Sequence, residues 1–304
     1  MSPLFPWRSR PAADNRLATV QHLSDVHTGI SRYQGARMEQ VATDLARVPD
    51  LDGIVDTGDS INGGDEDHTA RQDRRYLAWR EQCARGRPWA QALGNHDIWG
   101  NNRSAGQWAS TFALPHVNYV VPMGSVAVVC IGPDRLHGVD QSPGGRPAVL
   151  LTDATVRWLD GILTRTGPAV VACHTPLPGM TDRGPKGWVH TEAGGPTAKD
   201  LVQVLEAHAD TVAAYLCGHT HCGPRSPEMA GVARVGGVTL PHLNAGWLGC
   251  LTNSDTQGPN RPLCSLTVDV RDDLSVRVRW RDHSRGRWYG PQGPRSLELR
   301  RGHS

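Results

Sequence analysis

Five times along the chain a short apolar run stops at a polar turn that carries histidine, aspartate or asparagine. LATVQHLSDVH delivers Asp25 and His27. DGIVDTGD delivers Asp59 behind Gly58. PWAQALGNHD delivers Asn95, His96 and Asp97 behind Gly94. PAVVACHTP delivers His174, and TVAAYLCGHTH delivers His219 and His221 behind Gly218. This repetition constrains the fold more than any other feature. Runs of this length read as buried strands. Between them GARMEQVATDLARV, DRRYLAWREQCA, DATVRWLDGILTRT and TAKDLVQVLEAH carry apolar residues at helical spacing. Strands alternating with helices predict an α/β fold, in which the C-terminal strand ends gather at one edge and form the ligand site. Residues far apart in sequence would then converge.

The last third changes character. GGVTLPHLNAG, PLCSLTVDV and LSVRVRWRDH alternate in the manner of antiparallel strands. Residues 1–16 read as a mobile Pro/Arg-rich leader, 17–284 as one domain, and 285–304 as a solvated Arg/Gly/Pro-rich tail.

The residue types at the five turns suit a metal centre. Imidazole and carboxylate bind Zn, Mn or Fe, and Asn adds a neutral oxygen. Glycines at 58, 94 and 218 permit sharp turns and close backbone approach. A carboxylate such as Asp59, between two groups of donors, can bridge two cations about 3.5–4 Å apart. One motif admits other readings: Cys217-Gly-His-Thr-His-Cys222 also has the composition of a zinc staple or a redox pair. A structural zinc site needs further ligands at matching spacing, and Cys217 belongs to a buried run, so both cysteines are expected to be bystanders.

D-x-H, G-D, G-N-H-D, H and G-H-x-H, in that order, resemble the calcineurin-like metallophosphoesterase superfamily over about residues 17–250. The resemblance implies a four-layer α/β-β/α sandwich with a dinuclear metal site at the strand edge. It implies Asp25, His27, Asp59 and His221 around a first ion, and Asp59, Asn95, His174 and His219 around a second. It further implies His96 as the residue that stabilises or protonates the phosphoryl group, with Asp97 orienting it. The reaction it implies is phosphoester hydrolysis by a metal-bridging hydroxide, with two divalent or trivalent ions (Mn, Fe or Zn) as cofactors. Purple acid phosphatases carry a tyrosine three residues after the G-D aspartate; this chain has Asn62. Protein Ser/Thr phosphatases carry G-D-x-V-D-R-G; this chain reads GDSINGG. The overall look is closest to bacterial cyclic-nucleotide phosphodiesterases. A phosphomonoesterase, a DNA nuclease of the same superfamily and a non-catalytic scaffold are the alternatives.

The loops at the same edge are expected to shape the pocket: Asn62 to Asp67, Trp99 to Arg103, and Thr175 to Gly195. From the last, Arg183, Lys186 and His190 are candidates for phosphate or base contacts, and Trp99 and Trp188 for stacking. Lys plus Arg total 32 against 30 Asp plus Glu. That balance speaks against a nucleic-acid partner and leaves a small phosphoester, a nucleotide among the candidates, as the expected substrate. No apolar run approaches the ~20 residues of a membrane-spanning helix. Seven cysteines at irregular spacing point to buried thiols in a reducing compartment, so a cytoplasmic protein is expected.

Overall fold

A computed structural model describes residues 15–31, 34–98, 103–132, 135–137, 148–180, 198–248, 263–290 and 295–303. The first half runs β1 (Arg16–Leu23), α1 (Gln34–Leu45), β2 (Gly53–Asp56), α2 (Glu66–Ala84), β3 (Trp89–Gln91), α3 (Ala105–Thr111), β4 (Tyr119–Met123) and β5 (Val126–Cys130). A small hairpin, β6 (Arg135–His137) and β7 (Ala148–Leu150), leads to α4 (Asp153–Leu163), β8 (Ala169–Ala172), α5 (Ala198–Ala207) and β9 (Val212–Cys217). Then follow β10 (Ala230–Val235), β11 (Val238–Asn244), β12 (Cys264–Arg271), β13 (Val276–Asp282), β14 (Arg287–Trp288), β15 (Ser296–Leu299) and β16 (Gly302–His303).

The strands form two large mixed sheets. The first has the order β14-β13-β12-β1-β2-β3, with β15 paired to β13; the second has the order β10-β11-β9-β8-β5-β4, with β16 paired to β11. The period of two in each strand sorts its side chains between layers. Ala18 and Val20 of β1 point into a core shared with Val128, Val170, Leu216, Val268 and Trp280, whereas Leu23 joins the helices. In α1, Met38, Val41, Ala42 and Leu45 are buried at helical spacing, and they pack with Tyr76 and Trp79 of α2 against the first sheet. In α4, Val156, Leu159, Ile162 and Leu163 pack with Leu201 and Leu205 of α5 against the second. Three apolar cores thus separate four layers, helix–sheet–sheet–helix, which is the expected sandwich.

Two expectations need correction. β11, expected among antiparallel strands, pairs parallel to β9, with Leu243 opposite Leu216 and Asn244 opposite Cys217, and antiparallel to β10 and β16. Its C-terminal end therefore lies at the same edge as the others. The stretch after Arg285 is not a solvated tail: β14 and β15 extend the first sheet and β16 pairs with β11 in the second. Alternation there (Leu297 and Leu299 packing inward, Glu298 opposite Arg277) is spread over four residues between charges and glycines, too short to stand out from composition. The 1–14 leader lies outside the described residues.

A buried polar cluster ties α1 to the first sheet. Arg281 donates to both oxygens of Asp44 (2.8 and 2.5 Å), and His283 Nδ1 lies 2.8 Å from the same carboxylate. Burial pushes the Asp44 carboxyl up, but Arg281 and His283 outweigh it and hold it at about 2. A folded value below the ordinary 3.8 contributes stability that is complete above that pH and is lost as pH falls through about 2. Asp44→Asn is expected to cost about 3 kcal/mol at neutral pH, since it strands a buried guanidinium. Urea titrations should show the gap to wild type narrowing as pH is lowered toward 2.

Candidate metal centre

Every expected donor in the described residues sits just past the end of a parallel strand. Asp25 and His27 follow β1, Asp59 follows β2, Asn95 and His96 follow β3, His174 follows β8, and His219 and His221 follow β9. The turns that present them are sharp. Asp25, His27, Asp59, His219 and His221 all have positive φ, between 46° and 71°. Such backbone costs ~1–3 kcal/mol per residue and persists only where the surroundings over-determine it. Here they do. Asp25 N–H donates to Gly58 O and His27 N–H to Asp59 O, both at 2.9 Å, so the first two turns are zipped together. Asp25 Oδ2 accepts from His219 N–H (2.9 Å), and Asp59 Oδ1 accepts from His96 N–H (2.8 Å). His174 Nδ1 donates to Thr57 O (2.8 Å), which turns its Nε2 toward Asp59. A side chain at Gly94 would strike Asp59 N and Oδ1, and one at Gly218 would strike Ser24 Oγ and Asp25 Oδ2. Both glycines are therefore there for close approach.

The donors fall into two groups that share one residue. Asp25, His27, Asp59 and His221 form the first; Asp59, His174 and His219 form the second; within each, the donor atoms lie within 4.8 Å of one another. His27 Nε2 is 3.0 Å from His221 Nε2, and His219 Nδ1 is 3.1 Å from His174 Nε2. Asp59 Oδ2 lies 3.2 Å from His174 Nε2 and 3.6 Å from His27 Nε2. Ligand atoms held at about 2.1 Å around a tetrahedral ion would stand about 3.4 Å apart, so these spacings fit donors arranged around cations. Asn95 Oδ1 is buried with no hydrogen-bond partner among the described residues, which is the condition of a neutral oxygen awaiting a ligand.

The electrostatics ask for positive charge. Burial pushes the Asp25 carboxyl up, but His221 by charge and hydrogen bond brings it well below the usual range. Asp59 is likewise raised by burial and then drawn below the carboxylate range by His174 and His96. Burial lowers the His27 imidazole to about 4 despite Asp25, whereas Asp59's charge overrides burial at His174 and raises it to about 10. Two buried carboxylates thus stay ionised and compete for whatever cation is near. Metal ions can take that part, and the donor set of imidazoles, carboxylates and an amide oxygen suits Mn, Fe or Zn.

His96 is held through its Nδ1. A carbonyl can only accept, so its Nδ1, 3.0 Å from Asn62 O, carries the proton. The backbone of Asn62 orients the ring. Asp97 does something else: it is fully buried, and its oxygens accept from the N–H groups of Asp59 (3.2 Å), Ser60 (3.0 Å), Ile61 (3.3 Å) and Gly94 (2.8 Å). Those four amides come from the Asp59 and Gly94 turns, so the Asp97 carboxyl binds the two turns together. Burial and then Asp59's charge push the Asp97 carboxyl up to about 8, against the pull of Gly94 N–H.

Arg183, Lys186, His190, Trp188 and Trp99 lie outside the described residues. Of the other loop candidates, Asp65 caps α2, accepting from His68 N–H (2.8 Å). Arg103 donates to Asp97 O and to Asp73 (2.7 Å). Cys217 and Cys222 are buried thiols, and among the described residues neither joins a potential metal group.

One contributor went unnoticed in the sequence. The segment after β11, Asn244-Ala-Gly-Trp247, is a sixth strand end at the same edge. Asn244 Nδ2 donates to Gly218 O (2.9 Å) and Thr220 Oγ1 (2.8 Å), and Trp247 stacks on His221. The strand-then-turn rhythm is present here too, but it takes the parallel pairing of β11 with β9 to bring this end to the site.

Fold and donor set together are those of a calcineurin-like α/β sandwich with a candidate metal site at the strand edge. The chain belongs to the calcineurin-like phosphoesterase family, whose model matches residues 18–223. A purple acid phosphatase from yellow lupin (Lupinus luteus) seeds is similar over 92% of this chain and 53% of its own, at 15% identity and TM-score 0.58. This chain spans about half the length of that protein. GAP50, the anchor in the inner membrane complex of Plasmodium, is similar over 93% of this chain and 89% of its own, at 13% identity and TM-score 0.57. At such identities the likeness is one of fold. No curated protein matches the chain. Among the described residues no helix is long and apolar enough to cross a membrane.

Gly94→Ala tests the close approach. A Cβ there meets both the backbone N and the Oδ1 of Asp59, so the Asp59 turn must shift. The expected result is a loss of metal content and of most hydrolytic activity with the overall fold retained by circular dichroism.

Proposed function

We propose that the protein is a phosphodiesterase acting on a small phosphoester, a nucleotide diester being the class in view, with Asp25, His27, Asp59 and His221 holding one metal ion and Asp59, Asn95, His174 and His219 a second. The observation that carries this reading is the sharing of Asp59 by two adjacent donor groups. When bound, the cation pair supplies Lewis acidity and lowers the pKa of water toward neutrality, so that a nucleophile exists at physiological pH.

The chain's own residues do the rest. Asp59 sits between the groups with Oδ1 fixed by His96 N–H, which leaves Oδ2 to face His174 and His27. With Nδ1 of His96 committed to Asn62 O, donation to a phosphoryl oxygen or to a departing alkoxide falls to Nε2. The Nε2 proton would pass from imidazolium to the leaving oxygen as its P–O bond breaks, while a hydroxide, its proton already lost to solvent, adds to phosphorus on the opposite side; a solvent proton then restores the imidazolium. An alkoxide needs that proton more than a phenoxide does, so the residue matters most for poor leaving groups. His96 is only partly buried, unlike Asp25 and His174, as a group that meets substrate should be. The departures from the tyrosine-bearing and R-G-bearing patterns noted in the sequence support a diester substrate over the alternatives. The cytoplasm is the compartment proposed, supported by six described cysteines that are all buried free thiols.

Hydrolysis of bis(p-nitrophenyl) phosphate beside p-nitrophenyl phosphate, on chelator-stripped protein refilled with Mn²⁺ or Zn²⁺, tests the reading. Metal-dependent diester cleavage is expected. Cleavage of the monoester alone would replace phosphodiesterase by phosphatase, and no turnover with either metal would favour a scaffold. Asp59→Asn should lose most metal and activity together. His96→Ala should keep two metal equivalents yet fall in rate by roughly 10²–10⁴-fold; loss of metal instead would make His96 a ligand.

A further inference from the structure

The donors of the first group are unequally held. Asp25, His27 and Asp59 have side chains no more than 1% exposed, whereas the His221 side chain is 22% exposed and its backbone lies at φ 52°. A ring at the mouth of the site, on a left-handed residue, needs something to fix its plane. One edge meets His27 at 86° with 4.9 Å between centroids. One face is covered by Trp247, stacked at 11° and 5.0 Å.

Trp247 is itself held on every side that matters. It is 6% exposed. Before it, Gly246 takes φ +74°, and its N–H donates to Asn244 Oδ1 (3.0 Å). A Cβ on Gly246 would press on Cys222 O, one residue past His221. After it, Leu248 N–H donates to Ser24 O (3.3 Å), beside Asp25. Asn244 meanwhile binds Gly218 O and Thr220 Oγ1 on the turn that carries His219 and His221. The indole therefore rides on a segment tied to both turns that build the first group and lies against its most exposed donor.

We propose that Trp247 is a positioning residue for the first metal position: its indole fixes the plane of His221 and shields that ring face from water. The inference rests on the ligand assignment proposed above. It makes the two positions unequal, because His174 is oriented by Thr57 O instead.

The test is calorimetric titration of chelator-stripped full-length protein with Mn²⁺, for wild type, Trp247→Phe and Trp247→Leu, with the melting temperature of each metal-free protein as control. Wild type should take up two equivalents. Trp247→Leu should weaken one of them by about 10–100-fold, the range for groups that orient a ligand, and leave the other unchanged. Trp247→Phe, which keeps an aromatic face, should bind close to wild type. Two unchanged equivalents in Trp247→Leu would overturn the inference while leaving the ligand assignment standing. Equal weakening of both positions, or equal weakening in both variants with a lowered metal-free melting temperature, would reduce Trp247 to packing and overturn it too. No uptake by wild type would sink the ligand assignment, and this inference with it.

Discussion

The carboxylate of Asp59 is the joint on which the rest of the site depends. Its backbone carbonyl takes His27 N–H, its N–H gives to Asp97, one oxygen takes His96 N–H, and the other faces His174 across the gap between the sheets. β1, β2 and β3 of one sheet and β8 of the other all report to this one residue. Gly58 and Gly94 flank it because any side chain there would collide with the opposing turn. Removing its charge would leave four imidazoles, His27, His221, His174 and His219, with no counter-charge common to the two groups, and an unbalanced charge at such depth is costly.

Asp97 gives that joint its rigidity. Its buried carboxyl accepts from four backbone N–H groups and so fills a small inward-facing nest that those amides form. Asp56 does similar work below it, accepting from Gly58 N–H (2.9 Å) and from the Tyr76 hydroxyl (2.5 Å) of α2. Burial raises Asp56 to about 7 against both bonds. Backbone strain in the five left-handed residues is thus confined between acceptors that have nowhere else to turn, and pre-organisation of the donors is bought with buried polar contacts rather than with apolar packing.

Much of this was legible in the sequence because the signals were local and chemical. An apolar run followed by glycine and a ligand-type side chain needs no tertiary knowledge to be read, and the α/β topology does the gathering. The family resemblance then sorted the donors into two groups around Asp59, and the positions of the carboxylate and imidazole atoms divide them the same way. What escaped was non-local. GGVTLPHLNAG has the same alternation whether its neighbour runs parallel or antiparallel, so the end of β11 was not placed at the site and Trp247 went unseen. G-N-H-D says nothing about which way Asp97 turns; that is decided by four amides from two separate turns. The last strands escaped because four-residue runs between arginines and glycines carry almost no period.

Those last strands have a mechanical consequence. β15 ends at Leu299 in the first sheet, and β16 begins at Gly302 in the second. Leu299 sits opposite Val276, which pairs with Val270, which pairs with Ala18 near the start of β1; His303 sits opposite Val238 at the start of β11. Two residues of chain therefore bridge the sheets at the edge remote from the donors, while His174 to Thr57 O and His219 N–H to Asp25 bridge them at the donor edge. The sandwich behaves as a beam clamped at both supports. The two sheets are thus tied to each other by the chain itself at one end and by hydrogen bonds between side chain and backbone at the other, so the two halves of the donor set are held by opposite layers of one braced sandwich.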